Sequence, residues 1–173
     1  IEGMITAIQY ARENKVPFLG ICLGMQLASI EYARHVCGLK DANSIEFDEN
    51  CLTPIIHLMN DQSLDDMGGT QRLGNYDCQL IPKTKAYALY GKPLIQQRHR
   101  HRYEFNNEYR SILEQHGLTI SGINPERNLV EIIEIEDHPY FVAAQFHPEF
   151  ASRPNHSEPL FQGFITAASQ NGK

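Results

Sequence analysis

The sequence has no apolar run long enough to span a bilayer, which excludes a membrane-spanning helix within these residues. It has no excess of basic charge: 15 lysines and arginines face 21 aspartates and glutamates, and the formal charge is −6. That balance argues against bulk binding of nucleic acid or of an anionic membrane surface. Cysteine is scarce, and Cys22, Cys37, Cys51 and Cys78 show no C-x-x-C spacing. A disulfide framework is thereby disfavoured, and a reducing, cytoplasmic setting is expected. Internal repeats, low-complexity tracts, a linker and a signal-peptide pattern are all lacking, and the chain opens on Ile1 rather than Met. What is there suits one globular domain over 1–173: apolar residues make up 42% and charged residues 21%.

The periodicity predicts a helix over Ile1–Asn14, with Ile1, Met4, Ile5, Ile8 and Ala11 on one face. A short apolar strand follows, then a second helix over 24–35. Helix, strand, helix in this order predicts an α/β fold with a mostly parallel, doubly wound sheet flanked by helices. Turns are expected at 48–50 and 60–63, a short strand over 55–59, and a flexible loop over 67–70. Helices are expected over 83–90, ending at Gly91, and over 107–115, closed by Gly117. A strand is expected over 118–123. Leu129–Ile135 and Tyr140–Phe146 read as a hairpin that delivers His147-Pro148-Glu149 at its end. Leu160, Phe161, Phe164, Ile165 and Ala168 are placed on one face of a closing helix.

The most telling run is Phe18-Leu19-Gly20-Ile21-Cys22-Leu23-Gly24-Met25-Gln26. An apolar strand runs into a cysteine with glycine two residues before it and two after, and a helix follows at once. This is the layout of a nucleophile elbow with cysteine as the nucleophile. Its position at a helix N-terminus favours a thiolate. The bland alternative is a half-buried cysteine at an ordinary strand-to-helix turn. Cys37, Cys51 and Cys78 read as small apolar packing residues.

A cysteine nucleophile needs a base. Of the eight histidines, His147 is best placed, because it ends an apolar strand beside a rigid proline. Glu149 lies two residues on, so in an extended segment it shares a face with His147 and can orient the imidazole. A mere strand-end cap remains the alternative. Arg98-His99-Arg100-His101-Arg102-Tyr103-Glu104 alternates, which puts the arginines on one face and the histidines on the other. Arginine forks suit carboxylates and phosphates. A nucleic-acid patch, a metal site on His99 and His101, and a plain solvated face stay open for this run. Gly68-Gly69-Thr70-Gln71-Arg72-Leu73-Gly74 reads as a mobile loop or an anion contact. Glu46, in Asn43-Ser44-Ile45-Glu46-Phe47, says nothing on its own.

Taken together these segments resemble the class I, triad-type glutamine amidotransferases. More narrowly, all five runs together are similar to the C-terminal glutaminase domain of the CTP synthase family, over essentially the whole chain. The resemblance implies Cys22 as nucleophile, His147 as general base and acid, and Glu149 as orienter. It implies the Leu23 N–H as an oxyanion donor. Gln26 and Glu46 would hold the substrate L-glutamine, and Arg102 its α-carboxylate. The Gly68–Gly74 segment is implied as a lid linked to activation by GTP. No metal and no cofactor are expected in this domain; ATP and Mg2+ are expected in a synthetase domain lying outside this chain, where ATP and ammonia would convert UTP to CTP. A homo-tetramer is implied. The family places a strand and a Pro-Gly-Gly-rich loop before the opening helix. The chain is therefore expected to be a truncated glutaminase domain over 1–173, with a raw sheet edge. Loss of one oxyanion donor is expected to cost about 10²- to 10³-fold in rate, making the chain alone a poor glutaminase. Two rivals are weighed against this: another hydrolase on the same fold, such as a γ-glutamyl hydrolase or cysteine peptidase, and a non-catalytic regulatory or filament-interface module.

Overall fold

The structure is a computed structural model that describes residues 1–58 and 71–171. Helix α1 (Glu2–Glu13) turns Ile5, Ile8 and Ala11 inward, while Ile1 and Met4 at its start stay exposed. Strand β1 (Phe18–Ile21) leads through Cys22 into α2 (Leu23–His35), which is buried from Met25 to Ala33 and so forms a core helix. Then come β2 (Ala42–Ser44), β3 (Thr53–His57), β4 (Arg72–Leu80), α3 (Lys85–Tyr90) and β5 (Leu94–His101). The chain closes with β6 (Glu104–Phe105), α4 (Arg110–Gln115), β7 (Leu118–Asn124), β8 (Leu129–Ile135), β9 (Phe141–Ala144) and α5 (Pro159–Asn171). Helix α3 shows both expected end signals: the Thr84 hydroxyl accepts from the Tyr87 N–H, and Gly91 closes it at φ 65°.

The main sheet runs β1-β9-β8-β7-β4-β5, and a small sheet runs β2-β3-β6. The α/β class and the helices on both faces agree with the sequence reading. The strand sense does not. In the main sheet only β1 and β9 pair in parallel, and the other four pairings are antiparallel. The sheet is mixed because hairpins, rather than crossover helices, connect β7 to β8 and β8 to β9. The four-pair register of the parallel pair, Phe18↔Phe141 to Ile21↔Ala144, brings Cys22 and Gln145 to the same end of the sheet. The alternation along β9 divides the core. Phe141 and Ala143 join Ile8, Leu27 and Ile30 on one face, and Val142 and Ala144 join Ala86 and Leu160 on the other.

Two further differences matter, and one pair of expectations is not tested. The expected turn at 60–63 and loop at 67–70 lie outside the described residues. Arg72, Leu73 and Gly74, expected in a lid, are strand residues at the start of β4, paired with His101, Arg100 and His99 of β5. On α5 the packed side carries Leu160, Gly163 and Ala167, whereas Ile165 and Ala168 face outward. Gly163 is there because a Cβ would lie 2.7 Å from both Leu89 and Tyr140.

Candidate active site

Cys22 stands between β1 and α2 at φ 52° and ψ −104°, a region that side chains other than glycine rarely occupy. Its N–H donates to the Ala144 carbonyl at 2.8 Å, which ties the elbow to the end of β9. Its carbonyl accepts from the N–H groups of Met25 and Gln26, at 3.0 and 3.2 Å, and so starts the helix. The glycine before it is required: a Cβ on Gly20 would sit 2.8 Å from the Ala143 Cβ and 2.9 Å from the Gly24 backbone. Gly24 behaves otherwise, since a Cβ there meets nothing within 4 Å.

The expectation of a ready thiolate is corrected. Burial pushes the Cys22 thiol up, the Leu23 N–H pulls it down by less, and the charges of Glu104, Glu149 and Glu46 push it further up. A thiol in this setting needs a base to take its proton. His147 follows β9 by three residues, and its Nδ1 is 2.7 Å from Glu149 Oε1. The carboxylate holds the Nδ1 proton, which leaves Nε2 as the basic nitrogen. That Nε2 is buried and has no hydrogen-bond partner among the described residues.

A cavity of about 430 Å³ opens on Cys22. Its walls include Leu23, Gln26, Glu46 and Arg102, so every sequence-selected residue outside the His147–Glu149 pair meets Cys22 there. Glu46 is exposed; burial pushes its carboxyl up while the Arg102 charge pulls it down. Gln26 is committed on one side. Its Nε2 donates to the Tyr103 carbonyl at 3.0 Å and to Gln145 Oε1 at 3.2 Å, which leaves only its own oxygen for a ligand.

The alternating run on β5 splits as expected: Arg98 and Arg100 face out, and His99 and His101 are buried. Beneath the cavity lies a sealed charge cluster that sequence reading missed. Arg72, 2% exposed, reaches Glu131 Oε1 at 2.7 Å and Glu104 Oε1 at 3.3 Å. The arginine expected to meet an external anion is instead consumed by two internal ones. The Tyr103 carbonyl can only accept, so His101 carries its proton on Nδ1, 3.1 Å away. His101 Nε2 then accepts from His99 Nδ1 at 2.8 Å. His99 Nε2 is left as a lone pair 3.5 Å from Glu131 Oε2, and neither atom has a hydrogen-bond partner among the described residues. Burial is the main cause that pushes Glu131 up to about 7 and Glu104 up to about 8, and that pushes His99 down to about 2. Both histidines are thus committed to this internal chain, and no group of three metal-ligating side chains occurs among the described residues. All four cysteines are free; Cys78 is buried, and Cys37 and Cys51 are partly so.

A strand-to-helix elbow with a cysteine, a histidine–glutamate pair just after the neighbouring strand and a charged pocket on the cysteine define a family rather than a fold alone. The chain belongs to the class-I glutamine amidotransferase family, whose model matches residues 1–167. Within that family it is similar to enzymes named CTP synthase. It is 62% identical to that of Geobacillus kaustophilus over 97% of this chain and 32% of the relative. It is 60% identical to that of Carboxydothermus hydrogenoformans over 100% of this chain and 32% of the relative. The chain therefore spans about a third of the length of these curated relatives. Among solved structures it is similar to the glutaminase domain of Trypanosoma brucei CTPS with bound acivicin. That match has a TM-score of 0.92 and 37% identity, and covers 98% of this chain and 66% of that one.

Proposed function

We propose that this chain is the glutaminase unit of a CTP synthase, hydrolysing L-glutamine to glutamate and ammonia through a thioester on Cys22. The observation that carries the reading is the cavity itself, which Cys22 lines together with an acidic residue, Glu46, and a basic one, Arg102. A free amino acid presents one charge of each sign. With its ammonium on Glu46 and its carboxylate on Arg102, glutamine extends its amide toward the sulfur, and the Gln26 oxygen helps to hold it.

The chemistry then runs in balanced steps. His147 Nε2 takes the thiol proton, and the sulfur attacks the amide carbon. The Leu23 N–H faces the oxygen that gains charge. His147 returns its proton to the departing nitrogen, and ammonia leaves as the C–N bond breaks. Water, deprotonated by the same imidazole, attacks the thioester, releasing glutamate and the thiol. Glu149 holds the ring throughout. No metal or cofactor takes part in these steps. The ammonia serves ATP- and Mg2+-dependent amination of UTP in a partner domain, with GTP as activator, in a tetrameric, cytoplasmic enzyme. The names of the relatives support the CTP-forming step, and the family resemblance of the sequence is what supports ATP with Mg2+, the GTP activator, the tetramer and the cytoplasmic setting.

The test is glutamate release from L-glutamine by the full chain, with γ-glutamyl peptides as competing substrates. Cys22→Ala lowers the rate by at least about 10⁴-fold, and Arg102→Ala raises KM for free glutamine but not for peptides. Preference for the peptides, or indifference to Arg102→Ala, overturns the proposal in favour of another hydrolase.

A further inference from the structure

Gln145 opens the run Gln145-Phe146-His147-Pro148-Glu149-Phe150, one of those that carry the family resemblance, but it was assigned no role; it is fully buried against the nucleophile. Its backbone N–H donates to the Glu131 carbonyl at 2.8 Å, which fixes where the side chain begins. Its Nε2 lies 3.7 Å from Cys22 Sγ, within the range of an N–H···S hydrogen bond. The orientation of its amide is not a free choice. Gln26 Nε2 has two neighbours, the Tyr103 carbonyl and Gln145 Oε1, and a carbonyl oxygen can only accept. The Tyr103 carbonyl also takes the His101 Nδ1 proton, so it is anchored from the cluster behind. Gln26 therefore donates to both, Gln145 must present Oε1 to Gln26, and its N–H is turned toward the sulfur.

We propose that Gln145 is a catalytic residue of this site: its side-chain N–H donates to Cys22 Sγ and stabilises the sulfur when it is charged. The proposal rests on the reading of Cys22 as nucleophile. A hydrogen bond to an ionised acceptor is roughly twice as strong as one to a neutral acceptor, so the donor favours thiolate over thiol. The need for it is visible in the surroundings. Burial and the three carboxylates Glu104, Glu149 and Glu46 all disfavour the charged sulfur, and the Leu23 N–H opposes them. His147 follows the same strand end, and Arg102 lines the same cavity. Gln145 supplies a second donor, from β9 rather than from the helix. It acts at both moments when sulfur carries charge: before attack on the amide and as the thioester collapses.

The experiment follows alkylation of Cys22 in the full chain by iodoacetamide across pH 6 to 10, read by peptide mass. Gln145→Met removes the donor at similar volume, and Gln145→Glu keeps the shape but reverses the polarity. Both slow alkylation at pH 8, the Met variant about 5- to 10-fold and the Glu variant more, and both move the midpoint of the pH profile upward. A profile within about twofold of the parent in the Met variant overturns the proposal. Should both variants fail to fold, Gln26→Leu decides. It leaves Gln145 in place but frees its amide to turn, so alkylation slows by a smaller factor; an unchanged profile again overturns the proposal. Alkylation requires no glutamine. A chain that shows the shift but does not hydrolyse glutamine defeats the functional proposal alone. One that hydrolyses glutamine with an unshifted Gln145→Met profile defeats this one alone.

Discussion

Two sets of charges adjoin Cys22, and they are built for opposite ends. Arg102 and Glu46 line the open cavity beside Cys22. Arg72, Glu104 and Glu131 lie sealed beneath, matched to one another with side chains at most 2% exposed. The residue types are the same. The difference is that the lower set is closed by internal partners, so it holds the site in place, whereas the upper set meets a space large enough for a ligand. Burial decides which arginine is structural, and an arginine's neighbours in sequence do not reveal it.

The sharpest way to break this comparison is to remove one arginine from each set. Arg72→Met leaves two buried carboxyls without their cation and costs about 3–5 kcal/mol of stability, read by denaturant unfolding. Arg102→Met changes stability by less than about 1 kcal/mol but raises KM for glutamine about 100-fold, read by ammonia release. If the two variants behave alike, the division fails. A smaller effect sharpens the lower set. Glu104 and Glu131, raised in the folded chain to about 8 and about 7, bind protons more tightly folded than unfolded. Their contribution is complete below the usual carboxyl range and is lost as pH rises through those values. His99 and His101, lowered to about 2 and about 3, act in the other direction, their contribution being lost as pH falls below the usual histidine value. Between about pH 7.5 and 8 the histidines are neutral in both states while the carboxyls still titrate, so stability falls, with a slope of about 1 kcal/mol per pH unit. Glu104→Gln flattens that slope in urea midpoints measured across the window. The smallest effect separates the two elbow glycines. Gly20→Ala forces overlap with Ala143 and costs about 1–3 kcal/mol. Gly24→Ala enters open space on a helix and adds up to about 1 kcal/mol to stability in thermal melts. Lost activity in that stabler variant would assign the Gly24 space to the substrate.

Much of the site was legible because its chemistry lies in short runs. Cys22 is marked by its glycines, and His147 and Glu149 by a hairpin whose second strand ends on a proline. The pocket residues came from resemblance, since an isolated Glu46 carries no signal. Three things were hidden. β4 begins at Arg72 inside a glycine-rich stretch, and its strand character comes from pairing with β5 rather than from composition. The sheet's mixed sense was masked by the opening helix–strand–helix, although the expected hairpin over 129–146 already implied antiparallel neighbours. Gln145 was part of the run around His147 but received no role. A glutamine at the end of an apolar strand, one residue before Phe146 and two before His147, is the signal that was available: a buried amide requires partners.

The backbone angle at Cys22 has a consequence beyond catalysis. At φ 52° and ψ −104° a cysteine is held where glycine would rest at ease. Cys22→Gly therefore folds at least as well as the parent while losing the sulfur. A lineage screened for foldedness alone would drift toward that silent form. Under the proposed function, the strained angle serves to hold the sulfur out toward substrate, at a cost that folding by itself would not incur.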